Sequence, residues 1–176
     1  MAPVDTSQPA LGQIQAFGLL GPVTEECLFR SAVVPLLVLA ESSPKRIIFL
    51  SPLVFGGAHI HHFYEFRLSR PDVPLVAAVA RTIIQLAYTS VFGAYATFLF
   101  LRTGSLVAVI LVHALCNSLG LPRLWGYTHP YWLPLGASKP TLAKWTISYY
   151  ALLVGGLLLW WRNLYTLTES PSALVQ

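Results

Sequence analysis

The sequence predicts an all-α membrane protein, a polytopic bundle of about four to six helices around a polar-lined cavity. Two observations carry that reading. Hydrophobic residues make up 55% of the 176-residue chain and charged residues only 10%, against about 45–50% and about 25% in soluble domains. The apolar residues also gather into long runs edged by Trp, Tyr, Lys and Arg, the pattern of segments that cross a bilayer. So little charge cannot cover a soluble surface, which sets aside disorder, coiled coil and soluble nucleic-acid binding. The net charge of +4 is spread thinly, with no basic cluster suited to a phosphate backbone.

Taken in order, residues 1–15 are polar and proline-bearing and read as a flexible or interfacial lead-in. The first basic residue is Arg30, so no positive n-region of a signal peptide is expected. A helix should start near Gly21-Pro22, because proline is tolerated in a first turn, and run to about residue 40. The next segment, 46–62, should break or bend near Pro52 and Gly56-Gly57. The polar stretch 64–74, YEFRLSRPDVP, reads as a loop. Three spans follow, at roughly 78–101, 104–121 and 145–161, the last two separated by a Pro/Trp/Tyr/Gly-rich stretch. Residues 163–176 form a polar tail, and the chain reads as one domain, 1–176. Cys27 and Cys116 lie in apolar segments and give neither a disulfide framework nor a zinc cluster.

Three clusters place ionisable or polar groups inside these apolar runs, where each costs about 2.5–3.5 kcal/mol on insertion scales and usually faces a cavity or a partner. They are Glu25-Glu26 with Arg30, Phe55-Gly-Gly-Ala-His59 with His61 and His62 just beyond, and His113 with Asn117. Positions four apart share a helix face. Glu26 and Arg30 therefore form an intrahelical ion pair, while Glu25 lies about 140° round the helix from Arg30 and has no such partner. A carboxylate without that partner suits a general base. The alternative for both glutamates is a first-turn position favoured by the helix dipole. His113 and Asn117, also four apart, present an imidazole and an amide on one side of a helix, and a plain interhelical hydrogen-bond pair is their alternative. His61 and His62 border the polar loop and read as interfacial rather than catalytic.

Together the clusters allow one definite chemistry. Glu25 and His59 hold and deprotonate a water, and His113 and Asn117 stabilise the oxyanion formed when that water attacks an amide carbonyl. Serine-hydrolase and zincin motifs are absent from the sequence. No cofactor is called for, although Glu25, His59 and His113 remain plausible zinc ligands at spacings that give no local support.

The residues at this point resemble a known family. EECLFR fits E-E-x-x-x-R, FGGAH fits F-x-x-x-H and HALCN fits H-x-x-x-N, in that order on membrane helices. They look like the CAAX prenyl protease and bacteriocin-processing (CPBP, or Abi) family. The flanking text PVTEECLFR, FGGAHIHHFYE, YTSVFGAYATFLFLRTG and VHALCNSLGLP is similar to the eukaryotic type II CAAX prenyl endopeptidases, over about residues 20–122. The resemblance implies a multi-pass endoplasmic-reticulum membrane protease. Its substrates would be farnesylated or geranylgeranylated CAAX proteins such as Ras-like GTPases, from which it removes the last three residues. It also implies a metal-independent glutamate mechanism, in which Glu25 and His59 activate water, His113 and Asn117 form the oxyanion hole, and Glu26 and Arg30 brace the first helix. The implied bundle has a conical cavity open to cytosol and lipid. Full members carry several helices before the glutamate motif, so this chain is expected to be a C-terminal half. The competing readings are a CPBP protease with another substrate and a non-catalytic membrane scaffold; a transporter fits less well, since the ionisable groups gather at one place.

Overall fold

The computed structural model describes residues 11–175, with side chains from Gly18 onward, so the segment 1–10 of the expected lead-in lies outside the described residues. Among the described residues every regular element is helical. The elements are α1 (Leu11–Leu28), a π-helical turn (Phe29–Val33), α2 (Val34–Leu39), α3 (Pro44–Ala58), α4 (His61–Ser69), α5 (Leu75–Thr103), α6 (Leu106–Leu119) and α7 (Lys139–Leu167). They fall into two compact units, one reaching to Ser118 and taking in the segment from Ser170, the other Leu119–Glu169.

The first helix starts eleven residues before Pro22 rather than at it. Pro22 lacks the N–H that would bond to the carbonyl four residues back, yet the turn holds. The Thr24 hydroxyl donates to the carbonyls of Leu20 and Gly21 at 2.9 Å each and so supplies hydrogen bonds beside the proline. The helix then passes through the π turn into α2 without leaving helical geometry. A π turn shifts the register of the following side chains and recurs at functional sites; here it holds Arg30.

Ser43 caps α3, accepting from the Arg46 backbone N–H at 3.4 Å, with Pro44 just inside. The helix runs through Pro52 and ends at His59, whose backbone N–H bonds back to Gly56. The break thus falls at residues 59–60, after the glycines, and Pro52 is absorbed. Close packing on α5 explains why. Pro52 lies against Gly93, where an added Cβ would sit 3.2 Å from the proline ring, and a Cβ on Gly56 would sit 3.0 Å from the Ser90 hydroxyl. Ser51 and Thr97 share a hydroxyl hydrogen bond of 2.5 Å across the same seam. The stretch read as a loop is helical as far as Ser69, whose hydroxyl donates to the Phe66 carbonyl, and Phe66 packs under the Arg81 guanidinium of α5. Only residues 70–74 turn, held by Arg67 donating to the Val73 carbonyl at 2.6 Å.

α5 and α7 are 29 residues each, apolar and long enough to cross a membrane. At 1.5 Å per residue each measures about 44 Å, more than the bilayer's hydrocarbon core. α6 corrects the span expected at 104–121: it has 14 residues and rises only about 21 Å. Ser105 caps its start through the Ala108 N–H, and the left-handed Gly120 (φ 66°) follows its end. The core of the first unit joins Val34, Ile47, Ala96, Leu99, Leu101 and Val109 from α2, α3, α5 and α6. Its C-terminal segment folds back on α5, with Leu174 N–H on the Leu101 carbonyl at 2.8 Å and Ser170 on the Thr103 carbonyl at 3.1 Å. In the second unit the aromatic loop lies on α7. Tyr149 accepts from the Arg123 N–H at 2.8 Å, Tyr150 donates to the Gly126 carbonyl, and Trp132 meets Trp145 edge-on. α7 begins at Lys139 and continues to Leu167, so the first residues of the expected polar tail are helical. Its leucines at 152, 157, 158 and 159 are uncovered, as suits a helical membrane protein.

Candidate active site

Glu26 is the organising group. Its side chain is fully buried, and Arg30, four residues on, is 1% exposed. Arg30 Nε stands 3.0 Å from Glu26 Oε2, while Nη1 donates to Oε1 at 3.3 Å. The Nε–H is not aligned on its oxygen, so that contact is ionic rather than a directed hydrogen bond. Arg30 Nη2 donates to the Gly93 carbonyl of α5 at 3.1 Å, and its guanidinium lies 4.9 Å over the Phe55 ring. The ion pair expected from the spacing of 26 and 30 is therefore present, and it joins α1, the π turn, α3 and α5.

The sequence reading missed a further bond. His113 Nδ1 lies 2.6 Å from Glu26 Oε1. A carboxylate held beside Arg30 accepts, so the proton of this bond belongs to Nδ1. His113, 5% exposed, is further boxed by Phe92 (centroids 4.6 Å) and Phe55 (6.2 Å). No local spacing signals a contact across 87 residues, although Phe55 and Phe92 both stand inside the quoted motif text.

With Nδ1 engaged, His113 turns Nε2 toward Glu25, 3.8 Å from Oε2. Glu25 keeps a side chain 35% exposed, so water reaches it. Among the described residues no salt bridge joins Glu25 to Arg30, although the Glu25 charge still acts on the guanidinium. His59 sits at the end of α3, half-buried, with Nδ1 2.8 Å from the Phe55 carbonyl. A carbonyl only accepts, so Nδ1 carries a proton, and Nε2 is the acceptor of the ring in its neutral form. His59 reaches the His113 group through Phe55, whose ring lies 4.7 Å from its own. Among the described residues no hydrogen bond joins Glu25 to His59. Asn117 is exposed one turn beyond His113 and, among the described residues, is bonded neither to it nor to Glu25. The structure thus gathers Glu25, Glu26, Arg30 and His113 through direct contacts, brings His59 in by aromatic packing, and leaves Asn117 at the rim of α6.

His61 and His62 stand on α4 beside this group, the His62 ring 5.8 Å from that of His59. There the His62 hydrogen bond holds the Glu65 carboxyl below its ordinary range.

Comparison with known proteins agrees with the motif reading. The type II CAAX prenyl endopeptidase Rce1-like family model matches residues 7–119. The chain is 45% identical over 145 residues to the probable CAAX prenyl protease 2 of Schizosaccharomyces pombe, covering 82% of this chain and 49% of that protein. It is 33% identical over 161 residues to CAAX prenyl protease 2 of Saccharomyces cerevisiae, covering 87% and 51%. Against the CAAX prenyl protease 2 of Arabidopsis thaliana it is 45% identical over 107 residues, 61% and 34%. The chain thus spans about half the length, or less, of these relatives. No solved structure matches it. All three motifs that build the site fall inside the matched span, and the chain belongs to the type II CAAX prenyl endopeptidase Rce1-like family.

Proposed function

We propose that this chain carries the catalytic centre of an intramembrane endopeptidase that removes the C-terminal aaX tripeptide from prenylated CAAX proteins. The names of its relatives support a CAAX protease. The observation that carries the mechanism is the line Arg30–Glu26–His113–Glu25, with His113 held at Nδ1 and its Nε2 facing a water-accessible carboxylate.

A water on Glu25 gives that carboxylate its proton as the oxygen attacks the carbonyl carbon of the prenylcysteine residue. His59, a neutral acceptor at Nε2, orients the same water. The carbonyl oxygen becomes the oxyanion, and His113 Nε2–H and the Asn117 amide donate to it. That role sets the charge of His113. Nδ1–H is committed to Glu26, so donating from Nε2 requires both ring protons; the imidazolium faces the Glu25 carboxylate before the water is deprotonated and the oxyanion after it, while Arg30 offsets Glu26. The intermediate collapses, the C–N bond breaks, and the leaving amine of the tripeptide takes the proton back from Glu25. Glu26 and Arg30 position His113 and brace the first helix. Farnesyl and geranylgeranyl chains are held by apolar surface in the bilayer while the peptide carboxylate stays wet. The substrates are Ras-like GTPases and similar proteins, and the setting is the endoplasmic-reticulum membrane in a multi-pass arrangement.

Glu25→Ala separates this reading from a non-catalytic scaffold. Catalysis requires cleavage to be lost while the protein accumulates and melts as the parent does; a scaffold requires accumulation to fall with everything else.

A further inference from the structure

Where α3 gives way to α4, two histidines and a carboxylate converge outside the group just described. One donor atom from each of His61, His62 and Glu65 lies within 4.8 Å of the other two. The local fold produces this convergence. α3 ends at His59 and α4 starts at His61, so both rings stand on the first turn, and Glu65, three and four residues on, returns over them. The two imidazole centroids are 3.9 Å apart.

The hydrogen bonds prepare these groups as ligands. His61 Nδ1 is 2.6 Å from the Ala58 carbonyl. That acceptor places the ring proton on Nδ1 and leaves the lone pair on Nε2, which stands 3.9 Å from Glu65 Oε1. A ligand histidine anchored through its other nitrogen to a backbone carbonyl is the usual outer arrangement of a protein metal site. His62 Nδ1 meets Glu65 Oε2 at 2.8 Å, so one carboxylate serves both rings. We propose that His61 Nε2, His62 Nδ1 and the Glu65 carboxylate form a binding site for one divalent transition cation of the zinc class. On binding, His62 carries its proton on Nε2 and gives the Nδ1 lone pair to the metal, which stands where the shared proton stood. Two imidazoles and one carboxylate select zinc-like ions over magnesium or calcium, which prefer all-oxygen shells. Three protein ligands leave a fourth position for water. The side chains are 58%, 38% and 65% exposed, so a hydrated cation reaches them directly. The site shares no residue with Glu25, Glu26, His113 or Asn117, and it stands whether or not the proposed cleavage is correct.

The test is titration of Zn2+ into the full chain in detergent micelles, against a fluorescent chelator. One ion per chain is expected. Glu65→Gln should weaken binding roughly tenfold or more, and the double variant His61→Ala/His62→Ala should abolish it. Millimolar Mg2+ should not compete, and Glu25→Ala should bind as the parent does. Exposed positions leave the fold intact, which helix content by circular dichroism verifies for each variant. Unchanged binding in the double variant overturns the site, as does loss of binding in Glu25→Ala, which would move the ion to the other cluster.

Discussion

Glu26 serves two partners at once, Arg30 on its own helix and His113 on α6, and its loss therefore strands two buried cationic or polar groups. Glu26→Gln is expected to cost about 3–5 kcal/mol, the usual result of breaking a buried pair by removing one side; a thermal melt in detergent reads it. The double variant Glu26→Leu/Arg30→Met should recover most of that stability, since apolar replacement of a buried pair is often neutral. It should not recover cleavage, because nothing then holds His113. Asn117 gives the opposite signature. Exposed as it is, Asn117→Ala should change stability by no more than about 0.5 kcal/mol, while removing an oxyanion donor lowers turnover about 10²–10³-fold. Equal loss of stability and activity in Asn117→Ala would refute its assignment. At this scale the sequence was informative where spacing was local. The Glu26–Arg30 pair follows from helix periodicity, whereas the Glu26–His113 bond depends on how α1 and α6 pack, which no window of sequence contains.

Among the elements, the seam between α3 and α5 sets where Phe55 and His59 stand. Pro52 rests on Gly93, where the α3 backbone comes too close for a side chain, and Gly56 rests on the Ser90 hydroxyl. Gly93→Val should force the helices apart and destabilise by about 1–3 kcal/mol, the range for overpacking. The same shift disturbs the Gly93 carbonyl that receives Arg30. Comparing melting of Gly93→Val with that of Gly57→Val, where a Cβ meets open space, isolates the packing effect. The proline and glycine signals marked this region as special but misplaced the break, because packing on α5 keeps α3 helical through Pro52. The polar text of α4 hid a helix for a related reason: its aromatic residues support helical structure beside α5, where Arg81 lies 4.5 Å over Phe66, and composition alone reads them as loop. For α6 the apolar run was longer than the helix, since Gly120 and Pro122 close it early.

As a whole molecule, the chain exposes large apolar faces on α5 and α7 that only lipid or other membrane helices cover. Alkaline carbonate is therefore expected to leave it in the membrane pellet; release into the supernatant would contradict the membrane reading. Composition and the long apolar runs together led to this conclusion and to helical class, because a charged fraction of 10% cannot cover a soluble surface and the runs are long enough to cross a bilayer as helices. The most direct measurement of the central claim is release of the aaX tripeptide, followed by mass spectrometry, from a farnesylated CAAX peptide by membranes containing this chain. The account predicts release that requires the prenyl group and disappears in Glu25→Ala. No release by a chain shown to be folded in those membranes, or release that survives Glu25→Ala, would contradict it.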